Sequence, residues 1–195
     1  MKYLTEKEEK ALLSTIREIK GKRAERDYIV IFLGLNTGLR CSEIIGLNIG
    51  DVRNREKLFV RPEIAKRAKA RIIPINKKLQ IAIKRFIKNK LLWGEGIQDE
   101  APLFISKKGN RLSKRALQDL FEHWCKRAGL VRSANGSARA EYTVHSMRHS
   151  FAKRLMQRGY SLAVVQKLLG HASLASTGIY TEVDYEETEE AVNAL

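Results

Sequence analysis

The spacing of apolar residues changes period along this chain, and that change sets its fold class. Leu12, Leu13, Ile16 and Ile19 recur at helical intervals behind Thr5, which forms a capping box with Glu8, so the pattern predicts a first amphipathic helix running to about Lys20 and stopped by Gly21. A second helix fits residues 27–36 and ends at Gly38, and a short third covers residues 42–47. The period then shortens. Residues 57–61 and 70–75 are brief runs rich in Phe, Val and Ile joined by a basic connection, which predicts an antiparallel pair. Pro62 and Pro74 confine these strands to an edge or to strand ends.

Helical spacing returns with Leu79, Ala82, Ile83, Phe86 and Ile87, and residues 103–105 predict a third short strand. Ser113 caps a helix carrying Leu117, Leu120, Phe121 and Trp124, which Gly129 closes. Residues 131–140, with Ser133, Asn135, Gly136 and Ser137, read as an interior loop. Two more helices follow, one over residues 146–157 stopped by Gly159, and one capped by Ser161 that carries Val164, Val165, Leu168 and Leu169 and ends at Gly170. The expected class is mainly α (α+β), a helical domain with one small antiparallel β-sheet.

A chain of 195 residues has room for one domain with at most a short appendage, and 44% apolar residues suffice for a core. The charge is the unusual quantity: 37 Lys+Arg against 22 Asp+Glu, a net +15. An excess of that size points to a polyanion, most often nucleic acid. No apolar run approaches a membrane span, and the N-terminus lacks the apolar stretch of a signal peptide. Cys41 and Cys125 form no metal or redox spacing and read as reduced, buried thiols, as expected of a cytoplasmic protein, and a nucleic-acid partner would associate it with the nucleoid.

The charge is also uneven. Eleven basic residues and one acid lie between Arg61 and Lys90, whereas the last fourteen residues hold six acids and no Lys or Arg. Within the basic run Arg67, Lys69, Arg71, Lys77 and Lys78 are the expected nucleic-acid contacts, a solvated helix face being the bland alternative for the stretch from Lys77 onward.

Four histidines limit the chemistry. His145 and His149 stand four apart, as metal ligands on a helix do, but Ser146 follows His145 where a zinc protease needs Glu, and no third ligand is near, so no metal is expected. Arg148, three residues after His145, suits a phosphate instead, because its planar fork holds two oxygens. Taken alone the pair could be chance neighbours on a surface. A second arginine, Arg40, stands between Gly38 and a new helix start with Glu43 in reach to orient it, and helix starts favour anions. Tyr180 is a candidate nucleophile once a base or neighbouring cations stabilise its phenolate.

Thr37-Gly38-Leu39-Arg40-Cys41-Ser42-Glu43, His145-x-x-Arg148-His149, Leu169-Gly170-His171 and Tyr180 nine residues later resemble, in order and spacing, the signature of the tyrosine recombinases, the phage integrase family. The resemblance covers the chain from residue 4 to about residue 180. It implies the DNA breaking-rejoining fold and a site-specific recombinase that cleaves and rejoins DNA through a 3′-phosphotyrosyl link, in integration, excision or inversion. Tyr180 would attack the phosphodiester, Arg40 and Arg148 would neutralise charge on phosphorus, and His145 and His171 would bind phosphate oxygens and assist proton transfer. A hairpin lysine would protonate the leaving 5′ oxygen. By register this is Lys66, with Lys69 in reserve, although the family's turn glycines are replaced in Ala65-Lys66-Arg67-Ala68-Lys69-Ala70-Arg71. Glu43 would support Arg40, and His149 would have a structural role. Neither metal nor another cofactor is implied.

On the same resemblance residues 1–181 are expected to form the catalytic domain, without the N-terminal core-binding domain of most integrases. Residues 182–195 would be an acidic tail whose Ala191, Val192 and Leu195 dock onto a neighbouring subunit. The expected partners are double-stranded DNA, further copies of the chain in a tetramer on DNA with a free monomer in solution, and accessory DNA-bending proteins. Two alternatives remain open at this point: a catalytically weak DNA-binding accessory protein of recombinase descent, and relaxation of DNA in the manner of a type IB topoisomerase.

Overall fold

A computed structural model of the chain describes residues 2–65, 70–134, 137–170 and 185–195. Its first helix, α1 (Glu6–Arg17), starts as the capping box requires: Thr5 Oγ1 accepts from the Glu8 amide at 3.3 Å, and the Glu8 carboxylate accepts from the Thr5 amide at 2.8 Å. Leu12 and Ile16 turn its apolar stripe inward. Helix α2 (Lys22–Thr37) begins a turn and a half earlier than its apolar run suggests, because its first turn is polar while its second half is buried on every side. Ile29, Val30, Ile31, Leu33 and Leu35 are all inaccessible, which makes α2 the axis on which α1, α4 (Lys77–Leu92) and α6 (Val144–Gln157) pack.

Helix α3 (Cys41–Gly46) follows after the turn at Gly38, and a 3-10 turn at Ile49–Asp51 leads to the hairpin. Strands β1 (Lys57–Val60) and β2 (Arg71–Pro74) pair antiparallel, with Lys57 opposite Pro74 and Val60 opposite Arg71. Leu58, Val60 and Ile73 face the core, while Phe59 and Ile72 face outward, as a pleat of period two requires. Helix α4 (Lys77–Leu92) is capped by Asn76, whose side chain accepts from the Leu79 amide at 2.9 Å and donates to Asn36 of α2 at 2.9 Å. That buried amide pair joins the end of the hairpin to the central helix.

Residues 103–105 do not add a strand to this sheet. Leu103 and Phe104 are buried, and the segment makes only isolated bridges, Asn48 with Pro102 and Ile105 with Arg111. Its apolar side chains fill the core beside α4, where Phe104 lies 5.9 Å from Phe86, so the run is apolar for packing rather than for pairing.

Helix α5 (Lys114–Arg127) is capped by Ser113 and tied to α2 by Asp27, which accepts from Trp124 Nε1 at 2.9 Å and from Arg26 Nε at 2.8 Å. The segment expected to be a loop is a second hairpin, β3 (Val131–Ala134) with β4 (Ser137–Ala140). It lacks the apolar alternation that marks a half-buried strand. Asn135-Gly136, the dipeptide that two-residue hairpin turns favour, was the available signal.

Helices α6 (Val144–Gln157) and α7 (Leu162–Leu169) complete the body, and Gly170 ends α7 in the left-handed region. Helix α8 (Tyr185–Asn193) lays Ala191 and Val192, both buried, against α7 and β2 of its own chain.

Candidate active site

Gly38 sets the position of the first arginine. Its φ of 62° lies in the left-handed region, and a Cβ there would stand 2.6 Å from Phe151 and 2.7 Å from Leu169, so glycine is required both for the turn and for the space. Two residues on, Arg40 is the N-cap of α3. Its amide donates to Glu43 Oε2 at 2.8 Å, its Nη1 donates to Glu43 Oε1 at 2.9 Å, and its Nη2 reaches the Gly170 carbonyl at 3.4 Å. The Arg40 side chain keeps 22% exposure, whereas Glu43 behind it is fully buried.

Glu43 has a second guanidinium. Arg71 of β2 grips it with two bonds, Nη1 to Oε1 and Nη2 to Oε2, each 2.8 Å, and turns its Nε toward the Leu168 carbonyl at 3.3 Å. Burial pushes the Glu43 carboxyl up, but the bonds and charge of Arg71, together with the Arg40 bonds, outweigh it and hold the group below its ordinary value. Arg71 was expected among the DNA contacts. Its side chain is only 10% exposed and its fork is occupied by Glu43, so its place is inside the protein.

Arg148 comes from α6 and is buried. Nη1 donates to the Gly38 carbonyl at 2.8 Å and Nη2 to the Leu169 carbonyl at 2.7 Å, so one side chain ties the turn before Arg40 to the end of α7. Burial, and then the charge of Arg40, lowers its pKa to about 10, so it stays protonated at neutral pH. Two guanidiniums from separate elements therefore share the Gly38 and Leu169-Gly170 segments. Such a pair suits the oxygens of one phosphodiester.

His145 lies exposed on the first turn of α6, and His149 is half-buried one turn on, its pKa lowered by burial and then by the charge of His145. Lys77 and Lys78 are exposed in the first turn of α4. Lys66, Arg67, Lys69, His171 and Tyr180 lie outside the described residues. In sequence, however, Lys66 and Lys69 lead directly into β2, and His171 directly follows Gly170. Among the described residues no group of three His, Cys, Asp or Glu is placed to hold a metal ion, and no helix is long and apolar enough to cross a membrane. Cys41 and Cys125 are buried free thiols, and burial pushes Cys125 up to about 12.

The sequence reading missed three parts of this arrangement: the fork of Arg71 on Glu43, and the carbonyls of Gly38 and Leu169 as acceptors for Arg148. The first had a trace in the sequence, since a buried acid behind Arg40 calls for a second cation once the site must stay positive. Main-chain acceptors leave none.

The sequence model of the phage integrase family matches residues 2–187. Tyrosine recombinase XerC of Caldanaerobacter subterraneus subsp. tengcongensis is 38% identical over 192 residues, which cover 98% of this chain and 50% of that protein. Tyrosine recombinase XerA of Pyrococcus horikoshii is 36% identical over 195 residues, covering 98% of this chain and 60% of that protein. Among solved structures, the pre-cleavage complex of the XerH site-specific recombinase bound to difH substrate superimposes with a TM-score of 0.71 at 29% identity, over 98% of this chain and 53% of that one. The XerA recombinase crystal structure gives 0.72 at 27% identity, over 97% and 63%. The chain thus spans between half and two thirds of the length of these relatives.

Proposed function

The chain belongs to the phage integrase family, and on that premise we propose that it carries the strand-transfer chemistry of a site-specific DNA recombinase. The observation that carries the reading is the convergence of Arg40 and Arg148 on the Gly38 and Leu169-Gly170 segments, with Glu43 buried behind Arg40. Tyr180 Oη attacks the scissile phosphorus, the bond from phosphorus to the 5′ oxygen breaks, and the chain is left on a 3′-phosphotyrosyl link. The departing 5′ oxygen takes a proton from Lys66, or from Lys69 in its place. Arg40 and Arg148 stabilise the charge that builds on the non-bridging oxygens, where fixed donors act without reorganising. His145 and His171 bind the same phosphate and receive the tyrosine proton. Attack by another strand's 5′ hydroxyl on the phosphotyrosine reverses the step, so no cofactor enters the balance.

Duplex DNA is the partner. Arg67, Lys69, Lys77 and Lys78 contact its backbone, and His149 packs behind His145. Residues 1–181 act as the catalytic unit, and in an assembly of copies on DNA the apolar face of α8 docks on a neighbouring subunit in place of its own body.

The reading is tested by incubating the chain with a pool of randomised duplexes and collecting DNA that precipitates with detergent-denatured protein. The expected result is a selected set of sequences and a peptide bearing a nucleotide on Tyr180, both lost in Tyr180→Phe. Relaxation of a supercoiled plasmid without any recombinant product would instead mark a topoisomerase. Binding that is equal in the Tyr180→Phe variant, with no covalent product, would mark an accessory protein.

A further inference from the structure

Arg71 takes no part in the roles above, yet all three of its guanidinium nitrogens are bonded inside the protein. Both oxygens of the buried Glu43 carboxylate accept from it at 2.8 Å, and the same oxygens accept from the Nη1 and amide of Arg40. The sequence around the end of α7 makes room for it. Gly170 lies so close that a Cβ there would stand 2.8 Å from Arg71 Cδ and 2.9 Å from its Nε. Arg71 thus touches the residue behind Arg40, the carbonyl of Leu168 and the glycine that precedes His171, while standing in the strand entered directly from Lys66 and Lys69.

The electrostatic consequence is specific. A carboxylate bonded to a lone guanidinium cancels most of its field, and a phosphate approaching Arg40 would then meet a neutral pair. With Arg71 present the cluster holds three guanidiniums, Arg40, Arg71 and Arg148, against Glu43 alone, and among the described residues no other carboxylate bonds to them. Burial, and then the charge of Arg40, lowers the pKa of Arg148, and the charge of Arg71 adds a smaller push in the same direction.

We propose that Arg71 is a positioning residue that takes up the charge of Glu43, so that Arg40 stays held in place by that carboxylate yet keeps a net positive field for the scissile phosphate. The proposal rests on the strand-transfer reading above and adds to it the reason the site stays cationic around a buried acid.

The test measures single-turnover adduct formation on a duplex selected as above, nicked so that the cleaved end diffuses away. Compared are the unsubstituted chain, Arg71→Gln, Arg71→Lys, Glu43→Gln and the double variant Glu43→Gln with Arg71→Gln. Arg71→Gln should bind the duplex as tightly as the unsubstituted chain but form adduct about 100-fold more slowly, the scale of losing one fixed electrostatic contribution to the transition state. Arg71→Lys, which keeps the charge without the fork, should fall between the two.

The deciding comparison is the double variant. It restores the original net charge of the cluster, and it should form adduct at least tenfold faster than Arg71→Gln; a residue that only holds the fold gives a double variant no faster than the single one. Weaker duplex binding by Arg71→Gln, with an unchanged rate at saturating DNA, also overturns the proposal and returns Arg71 to the DNA contacts. Should Arg71→Gln fail to fold, the same question is put in the Glu43→Gln background, where removing Arg71 should change the rate little; a loss there as large as the one expected above overturns it. Absence of any adduct from the unsubstituted chain removes the strand-transfer reading and this proposal with it, whereas adduct at one rate from every variant removes only the role of Arg71.

Discussion

The guanidinium of Arg148 donates to the main-chain oxygen of Gly38 at 2.8 Å, across a separation of 110 residues. Its other terminal nitrogen donates to Leu169, so two of the five N–H donors on that group are committed to buried carbonyls before any ligand arrives. Lysine has no planar fork with which to serve both. Arg148→Lys should therefore leave a carbonyl unpaired, costing about 1–3 kcal/mol. Adduct formation should fall by roughly 10²- to 10³-fold. Urea titration and single-turnover cleavage measure the two effects, and an unchanged midpoint would show that the carbonyls find other partners.

Gly38→Ala tests the turn itself. The added methyl meets Phe151 and Leu169 at 2.6 and 2.7 Å in a backbone conformation that L side chains rarely adopt. Overpacking and the left-handed φ together should cost on the order of 2–4 kcal/mol. The urea midpoint should drop accordingly. Relief of the Leu169 clash by Leu169→Ala should leave the double variant less destabilised than the sum of the two single variants, and strict additivity would leave the loss to the φ strain and the Phe151 contact.

The Glu43 carboxyl is held below its ordinary value of 4.5 in the folded chain. The unfolded chain therefore takes up its proton first as pH falls, so the stability contributed by this group is complete above about pH 4.5 and is lost as pH drops through the lower folded value. Thermal melts of the unsubstituted chain and of Glu43→Gln should be well separated at neutral pH and converge in acid. A separation that persists below the folded pKa would show that shape rather than charge is what Glu43 supplies.

Lys77 and Lys78 occupy the first turn of α4, where no acid accompanies them and the helix dipole disfavours cations. Replacing both by Ala should raise stability by up to about 1 kcal/mol. The same change should weaken duplex binding and reduce the slope of log affinity against log salt by about 0.9 for each phosphate that is no longer neutralised. Denaturation and salt-series binding measure both. A stability gain with unaltered salt dependence would return these lysines to a plain solvated face.

Helices were legible in the sequence wherever a cap and a periodic stripe coincided. Thr5 with Glu8, Ser113, Ser161 and the glycines at 38, 129, 159 and 170 bound their elements within a few residues of where the structure places them. Legibility failed in two kinds of place. Residues 103–105 are apolar because Phe104 meets Phe86 in the core, and an apolar run of that length looks the same whether it packs or pairs. Residues 131–134 and 137–140 pair without apolar alternation, so periodicity had nothing to detect.

The sequence by itself supplied the candidates for the site, because Arg40, His145, Arg148, His171 and Tyr180 stand in local motifs that can be read from neighbouring residues alone. It also determined the excess of positive charge. What the tertiary structure decided was the use of particular cations. Arg71 belongs to a basic run in the chain, yet packing turns it inward onto Glu43, which lies 28 residues away. Arg148 is joined to Gly38 and Leu169 only when α6, α7 and the turn after α2 meet. The reason is physical: sequence patterns record burial and local backbone preference, whereas the partner of a buried charge is chosen by whichever groups the fold brings within hydrogen-bonding distance, since leaving that charge unpaired costs several kcal/mol.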